Sequence, residues 1–199
     1  MARYGSQAIR GHGIPEAMEQ ILANESRIPM RMTFLKPLSA AVAIGTGGPF
    51  GSEGPIIATG GALGSVLGQV ISVTAAERKT LLAAGAAAGM AATFGSPVSA
   101  VLLAIELLLF EFRPRSLIPV ALAACTATGV HFSYAGSAPA FHSVSFTEPS
   151  GTALVVYVLL GALVGVVSVG VTRAVYRIED LFERLPIHWM WWPAIGAVP

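Results

Sequence analysis

An all-α, polytopic membrane protein built from broken and tilted helices is the fold class that this sequence predicts, and three observations predict it. The chain is 54% hydrophobic and only 12% charged, with a mean hydropathy of +0.68, far from the charge-rich surface of a soluble domain. Uncharged stretches at 55–76 and 152–172 each reach the roughly 20 residues an α-helix needs to cross the hydrocarbon. Other apolar stretches are cut short by glycine and proline, and such broken helices are tolerated in a membrane where the freed backbone faces protein or a wet cavity.

The elements follow in chain order. Gly11-His12-Gly13-Ile14-Pro15 is a glycine-rich turn that opens a helix over 16–22, since proline suits the first helical turn, where its missing N–H costs nothing. The stretch 37–45 is too short to span alone. Gly51-Ser52-Glu53-Gly54-Pro55 repeats the glycine-proline start and opens the first spanning stretch. Gly95-Ser96-Pro97 divides the next apolar run into two short helices, over 79–93 and 97–110, because Gly-Ser-Pro ends one helix and starts another. The stretch 116–132 is marginal in length, 134–150 is a Gly/Ser/Pro-rich loop, and the long span 152–172 follows. Most of the charge falls in 24–36, 74–79, 110–115 and 173–185, which read as interfacial turns or amphipathic helix ends. Trp189, Trp191 and Trp192 form an aromatic belt of the kind that announces a further span.

Glycines at four-residue intervals, Gly60-Gly64-Gly68, Gly85-Gly89 and Gly161-Gly165, lie on single helix faces and let another backbone come close. The alanine-rich run 83–92 serves the same packing and carries no chemistry.

Glu53 is the only charged residue between Lys36 and Glu77, and an ionisable side chain at membrane depth is a functional-site candidate by default. Its neighbours indicate the kind of site. Glycine bares the backbone on both sides, and amides at the start of a helix are unpaired donors at the positive end of its dipole, an arrangement that attracts anions. If the intervening chain returns through the membrane, the starts at Gly13 and Gly54 aim at one point and share one anion.

These residues resemble a family. Gly11-His12-Gly13-Ile14-Pro15-Glu16 resembles the Gly-Ser-Gly-Ile-Pro-Glu motif of the CLC chloride channels and chloride/proton antiporters. Gly51-Ser52-Glu53-Gly54-Pro55 is similar to their Gly-Arg-Glu-Gly-Pro motif, and the run from Gly85 to Pro97 followed by Ile105-Glu106 is similar to their next helix pair. The resemblance implies an inverted-repeat fold of roughly twice this length. Residues 1–199 would form one partial CLC transmembrane domain: most of the first repeat to about 134, a loop over 134–150, and the start of the second repeat over 151–199. It also implies a multi-pass homodimer in the cell membrane, each subunit with its own anion path, and the second half of the domain as a required partner for a complete path.

Carried over by position, Glu53 is the gating glutamate, whose carboxylate competes with the anion for the same amides. Around it, His12, Gly13, Ile14, Pro15, Gly51, Ser52, Gly54 and Pro55 form the anion-binding turns. Three departures from the family pattern matter. His12 replaces serine and either lines the path, adding pH dependence, or turns outward. Ser52 replaces arginine and removes a local positive charge. Leu107 stands where the antiporters carry a second, proton-relaying glutamate, so passive conduction is the favoured reading, with chloride/proton exchange and a non-conducting assembly role as alternatives. Glu106 is either a structural acid near a helix end or a proton donor.

Other classes are disfavoured. The chain has no Gly-x-Ser-x-Gly elbow and no His-Glu-x-x-His pair, and its histidines at 12, 131, 142 and 188 lack ligand spacing, so neither an enzyme nor a metal site is expected. A formal net charge of +1 gives no electrostatic footprint for nucleic acid. The lone Cys125 cannot form an internal disulfide and reads as a small apolar residue. No cofactor is implied; chloride is the transported ion and the lipid bilayer the surrounding solvent. The first thirty residues lack the apolar core of a cleavable signal peptide, and both ends read like those of a partial chain.

Overall fold

The computed structural model describes residues 9, 11, 13–48, 50–136 and 150–196, and every regular element among them is helical. In order these are α1 (Ile14–Ala23), α2 (Met32–Gly45), α3 (Glu53–Val70), α4 (Ala75–Phe94), α5 (Pro97–Ala104) running into a π-helical turn (Ile105–Leu109), α6 (Pro114–Ala135), α7 (Gly151–Glu183), a 3-10 turn (Trp189–Trp191) and α8 (Trp192–Gly196). The chain divides into two units, Met1–His142 and Ser143–Pro199.

The core of the first unit is the pair α3 and α4. A Cβ placed on Gly60 would lie 2.2 Å from the Gly85 carbonyl oxygen, one on Gly64 would lie 2.0 Å from that of Leu81, and one on Gly85 would lie 2.1 Å from that of Gly60. The glycine face therefore brings two backbones into direct contact, as its spacing predicts. Partners fall in number as their glycines rise, so the helices run antiparallel. Leu82, Ala83, Ala87 and Ala91 fill the space beside this seam and are buried, because small side chains permit the close approach that dispersion contacts need.

The uncharged stretch 55–76 is not one span. α3 ends at Val70, Ser72 takes a positive φ of 52°, and Thr74 caps a new helix: its hydroxyl accepts the Glu77 N–H while the Glu77 carboxylate accepts the Thr74 N–H at 3.0 Å. Hydrogen bonds from the Thr74 hydroxyl and N–H, with the Arg115 guanidinium adding, hold the Glu77 carboxyl below its ordinary range. A Thr-x-x-Glu capping box is legible at 74–77, and it moves the start of α4 ahead of the expected 79. The division at 95–97 is found as expected. Gly95 takes the left-handed conformation, φ 63°, and Pro97 starts α5.

The charged stretches are less interfacial than the sequence suggests. Lys36 was expected at a turn or helix end but lies inside α2, 4% exposed. Arg78 is 6% exposed and donates to the Glu25 and Val73 carbonyls at 3.2 Å each. It belongs to a polar clamp on the α1–α2 connection, where Glu25 and Ser26 both have positive φ. Ser65 of α3 is fully buried; its Oγ accepts the Ile28 N–H at 2.9 Å and donates to the Ser26 carbonyl at 2.6 Å, while Gln69 Nε2 donates to the Ile28 carbonyl at 3.0 Å. Side chains thus satisfy the buried backbone groups that this irregular connection leaves open.

Ser65→Ala strands a buried N–H and a buried C=O together, so a loss of about 2–4 kcal/mol is expected. A thermal melt in detergent that shows no drop in Tm for Ser65→Ala would refute the clamp.

Among the described residues two helices are long and apolar enough to cross a bilayer, α6 and α7, with mean hydropathies of 1.4 and 2.6. α6, marginal in the sequence, gains length because Pro114 starts it and Pro119 is accommodated within it. In the second unit α7 continues through the charged stretch to Glu183, so that stretch is a helix end rather than a turn. Phe182 and Trp192 pack edge to face, ring centroids 6.1 Å apart, and Trp192 Nε1 donates to the Ile187 carbonyl at 3.3 Å. The aromatic belt therefore leads directly into α8. Of the expected loop 134–150, residues 137–149 lie outside the described residues.

Candidate functional site

The two glycine-proline helix starts meet. Gly13 is buried, with φ 106°, and a Cβ on it would lie 2.3 Å from the Gly54 carbonyl oxygen and 3.0 Å from Ala58 Cβ. α1 thus begins against the first turn of α3, and only a residue without a side chain permits the approach. The turns that carry Gly13, Ile14 and Pro15 on one side and Gly54 and Pro55 on the other are brought together. Gly51 and Ser52 are exposed, and Ser52 lines an apolar groove of about 790 Å³ that α2, α3 and α4 form. His12 lies outside the described residues.

Glu53 is the first residue of α3. Its side chain is exposed, and among the described residues no ion pair or side-chain hydrogen bond engages it. The first intrahelical bond of α3 runs from the Ile56 N–H to the Ser52 carbonyl at 3.1 Å. The N–H groups of Glu53 and Gly54 precede it, and Pro55 has none, so among the described residues the donors expected around Glu53 remain open.

At α1 the expectation of open donors needs correction. The Gly13 N–H donates to the carboxylate of Glu16, so the amide is already occupied. The Ile14 N–H remains beside it, ahead of the first intrahelical bond, Ala17 N–H to the Gly13 carbonyl at 3.1 Å. The same carboxylate packs onto Gly11, where a Cβ would overlap it. A glutamate three residues after a helix-capping position is a readable signal for such a reciprocal cap, and it was missed because Gly13 offers no side chain to complete the usual pair.

Lys36 completes the turn. Its ammonium donates to the Ile9 carbonyl at 2.8 Å and the Gly11 carbonyl at 2.9 Å, so a buried charge fixes the chain that leads into Gly13. A cavity of about 390 Å³ lies alongside, and Glu16, Glu19, Gln20, Met32 and Lys36 are among its lining residues together with Gly11 and Gly13. No sequence pattern pairs Lys36 with carbonyls some 25 positions away.

Glu106 lies in the π turn, exposed, without a hydrogen bond or ion pair among the described residues. Among the described residues Glu106 therefore makes no contact of the kind a structural acid near a helix end would make. Leu107 is part-buried against the apolar core, in the turn that packs on α1.

The family model described as "Voltage gated chloride channel" matches residues 1–198. The chain belongs to the voltage-gated chloride channel (CLC) family. Relatives include proteins named "H(+)/Cl(-) exchange transporter ClcA" from Salmonella paratyphi B and Salmonella newport, each 33% identical over 187 residues, covering 87% of this chain and 37% of the relative. The chain therefore spans well under half the length of these relatives. Among solved structures, a slow cyanobacterial Cl-/H+ antiporter matches with a TM-score of 0.82 at 25% identity, over 93% of this chain and 44% of that one. The all-α CLC fold, broken helices included, is thus the fold of this chain, and among the described residues α6 and α7 have the length and apolarity of membrane-crossing helices.

Proposed function

We propose that this chain forms part of a chloride/proton exchange path in which Glu53 is the gate and the starts of α1 and α3 hold the anion. The observation that carries the proposal is the contact of Gly13 with Gly54, which sets two helix starts side by side next to a carboxylate that is unpaired among the described residues. Dipolar donors without a full positive charge at the anion let it both enter and leave. Gly51, Ser52, Ile14, Pro15 and Pro55 shape the two turns, and His12 sits within the first by sequence. The path is completed by the rest of a CLC domain, in a multi-pass homodimer of the cell membrane. Exposed apolar residues such as Phe34, Leu63 and Val166 fit lipid or that remaining protein. The reading requires no cofactor and no nucleic-acid partner.

Exchange is preferred over passive conduction because the relatives and the solved neighbour are named as exchangers. Leu107, which cannot carry a proton, is the one residue that favours a channel. The two readings separate in liposomes that carry the complete protein. With a chloride gradient imposed at symmetric pH, exchange drives protons against their own gradient at a fixed ratio to chloride. Chloride flux without proton movement would return the channel reading, and no flux of either ion would leave only a non-conducting role.

A further inference from the structure

We propose that the connections 24–31, 71–79 and 110–115 form a face that binds anionic phospholipid headgroups, with Lys79, Arg113 and Arg115 as the phosphate ligands. The face belongs to the first unit and is independent of the anion path. Three contacts gather these connections at one end of the helices. Arg78 donates to the Glu25 and Val73 carbonyls, Arg115 pairs with Glu77 at 3.0 Å, and Lys79 Nζ stands 5.8 Å from the centre of the Phe110 ring. The connections at the other end, 46–52 and 95–96, contain no Lys, Arg, Asp or Glu. Among the connections of these helices, positive charge is confined to one end.

Cations outnumber acids on that face. Glu25, Glu77 and Glu111 each meet one arginine: Arg27 at 3.4 Å, Arg115 at 3.0 Å and Arg113 at 3.5 Å. Among the described residues Arg31 and Lys79 have no carboxylate in ion-pair contact, so a surplus of positive charge remains. The Ser116 hydroxyl donates to the Glu111 carboxylate at 2.7 Å, and this bond, with Arg113 and Lys79 adding, holds the Glu111 carboxyl below its ordinary range against the cost of desolvation. Lys79 and Arg113 therefore lie together around one acid. The ion pairs do not lock the cations in place: the Arg113 and Arg115 side chains are 77% and 81% exposed, and exposed pairs contribute little. Phosphate oxygens match the planar guanidinium fork and are its stronger partners.

Apolar groups on the same face select a lipid as the occupant. Phe112 is 75% exposed, and Met30 and Ile71 are exposed with it. Phe112 directly precedes Arg113 at the start of α6, which has the length and apolarity of a membrane-crossing helix. A helix entering the bilayer there carries its cations at headgroup level and its aromatic rings at the acyl boundary. An acidic soluble partner would leave these apolar side chains in water.

The test is native mass spectrometry of the complete protein in detergent, titrated with phosphatidylglycerol, phosphatidylcholine or glycerol phosphate. Phosphatidylglycerol is expected to bind about tenfold more tightly than phosphatidylcholine, the size set by cations at a charged headgroup. That preference should vanish in Lys79→Gln/Arg113→Gln/Arg115→Gln and survive in Arg113→Lys/Arg115→Lys, which keeps the charge. Equal binding of the two lipids by the parent protein overturns the proposal, the result if the rest of the domain covers this face. A preference that survives the triple variant also overturns it, by placing the lipid elsewhere. Glycerol phosphate that displaces phosphatidylglycerol at equal concentration overturns the lipid as occupant and leaves a free-phosphate site. If the triple variant fails to fold, amide exchange of the parent protein in nanodiscs decides: residues 110–115 must be better protected in phosphatidylglycerol than in phosphatidylcholine, and equal protection overturns the proposal.

Discussion

Glu53→Gln in the complete protein is expected to raise basal chloride flux, to flatten its pH dependence and to abolish proton counter-movement. The carboxylate stands on the first residue of α3 beside N–H groups that no other group occupies among the described residues. An anionic side chain and a chloride ion compete for such donors, and the helix dipole favours whichever is charged. Glutamine keeps the shape and loses the charge, so it mimics the protonated state permanently. The gain in flux is expected to be about tenfold, corresponding to one charged competitor of roughly 1.4 kcal/mol. Reconstituted Glu53→Gln with the parent's flux and pH profile would remove Glu53 from the gate, whatever the fold.

The sequence made the fold legible where a residue's role is local. Glycine spacing on α3 and α4 predicts a close helix pair because a missing side chain acts wherever two backbones meet, and Gly60 and Gly85 do meet. Gly95-Ser96-Pro97 divides two helices because both the left-handed glycine and the proline impose their conformations without help from elsewhere. The break of 55–76 after Val70 was hidden by the absence of charge there; its signal lay in the Thr74–Glu77 capping box instead.

At the candidate site, legibility followed the same rule. Both glycine-proline starts were readable, and so was Glu53 as an isolated carboxylate. The roles of Lys36, Ser65 and Arg78 were not, because each satisfies backbone groups that lie far off in the chain. Charge in a sequence of this composition reads as interface by default, yet a cation can be buried where irregular backbone supplies carbonyls. Nothing local to Ile105–Leu109 marks a π turn, whose closing bond, Phe110 N–H to the Ile105 carbonyl at 3.0 Å, adds one residue to the repeat.

Gly13→Ala is expected to have the largest structural effect of any single methyl added to the site. Two costs coincide. The residue's φ of 106° lies where an L side chain is strained, and the new Cβ would sit 2.3 Å from the Gly54 carbonyl oxygen, a backbone atom that cannot rotate away. Relief requires α1 to move off α3, which separates the two helix starts and breaks the proposed anion site. A loss of roughly 3 kcal/mol, or about 6–12 °C in Tm for a chain of this size, is expected, and transport should fall to background even where helix content is retained. Gly129→Ala in α6 serves as the comparison, since nothing lies within 4 Å of its Cβ position; there the helix should hold or gain slightly. Gly13→Ala with parental Tm and parental flux would show that α1 and α3 do not need this contact, and the shared anion site would lose its geometric basis.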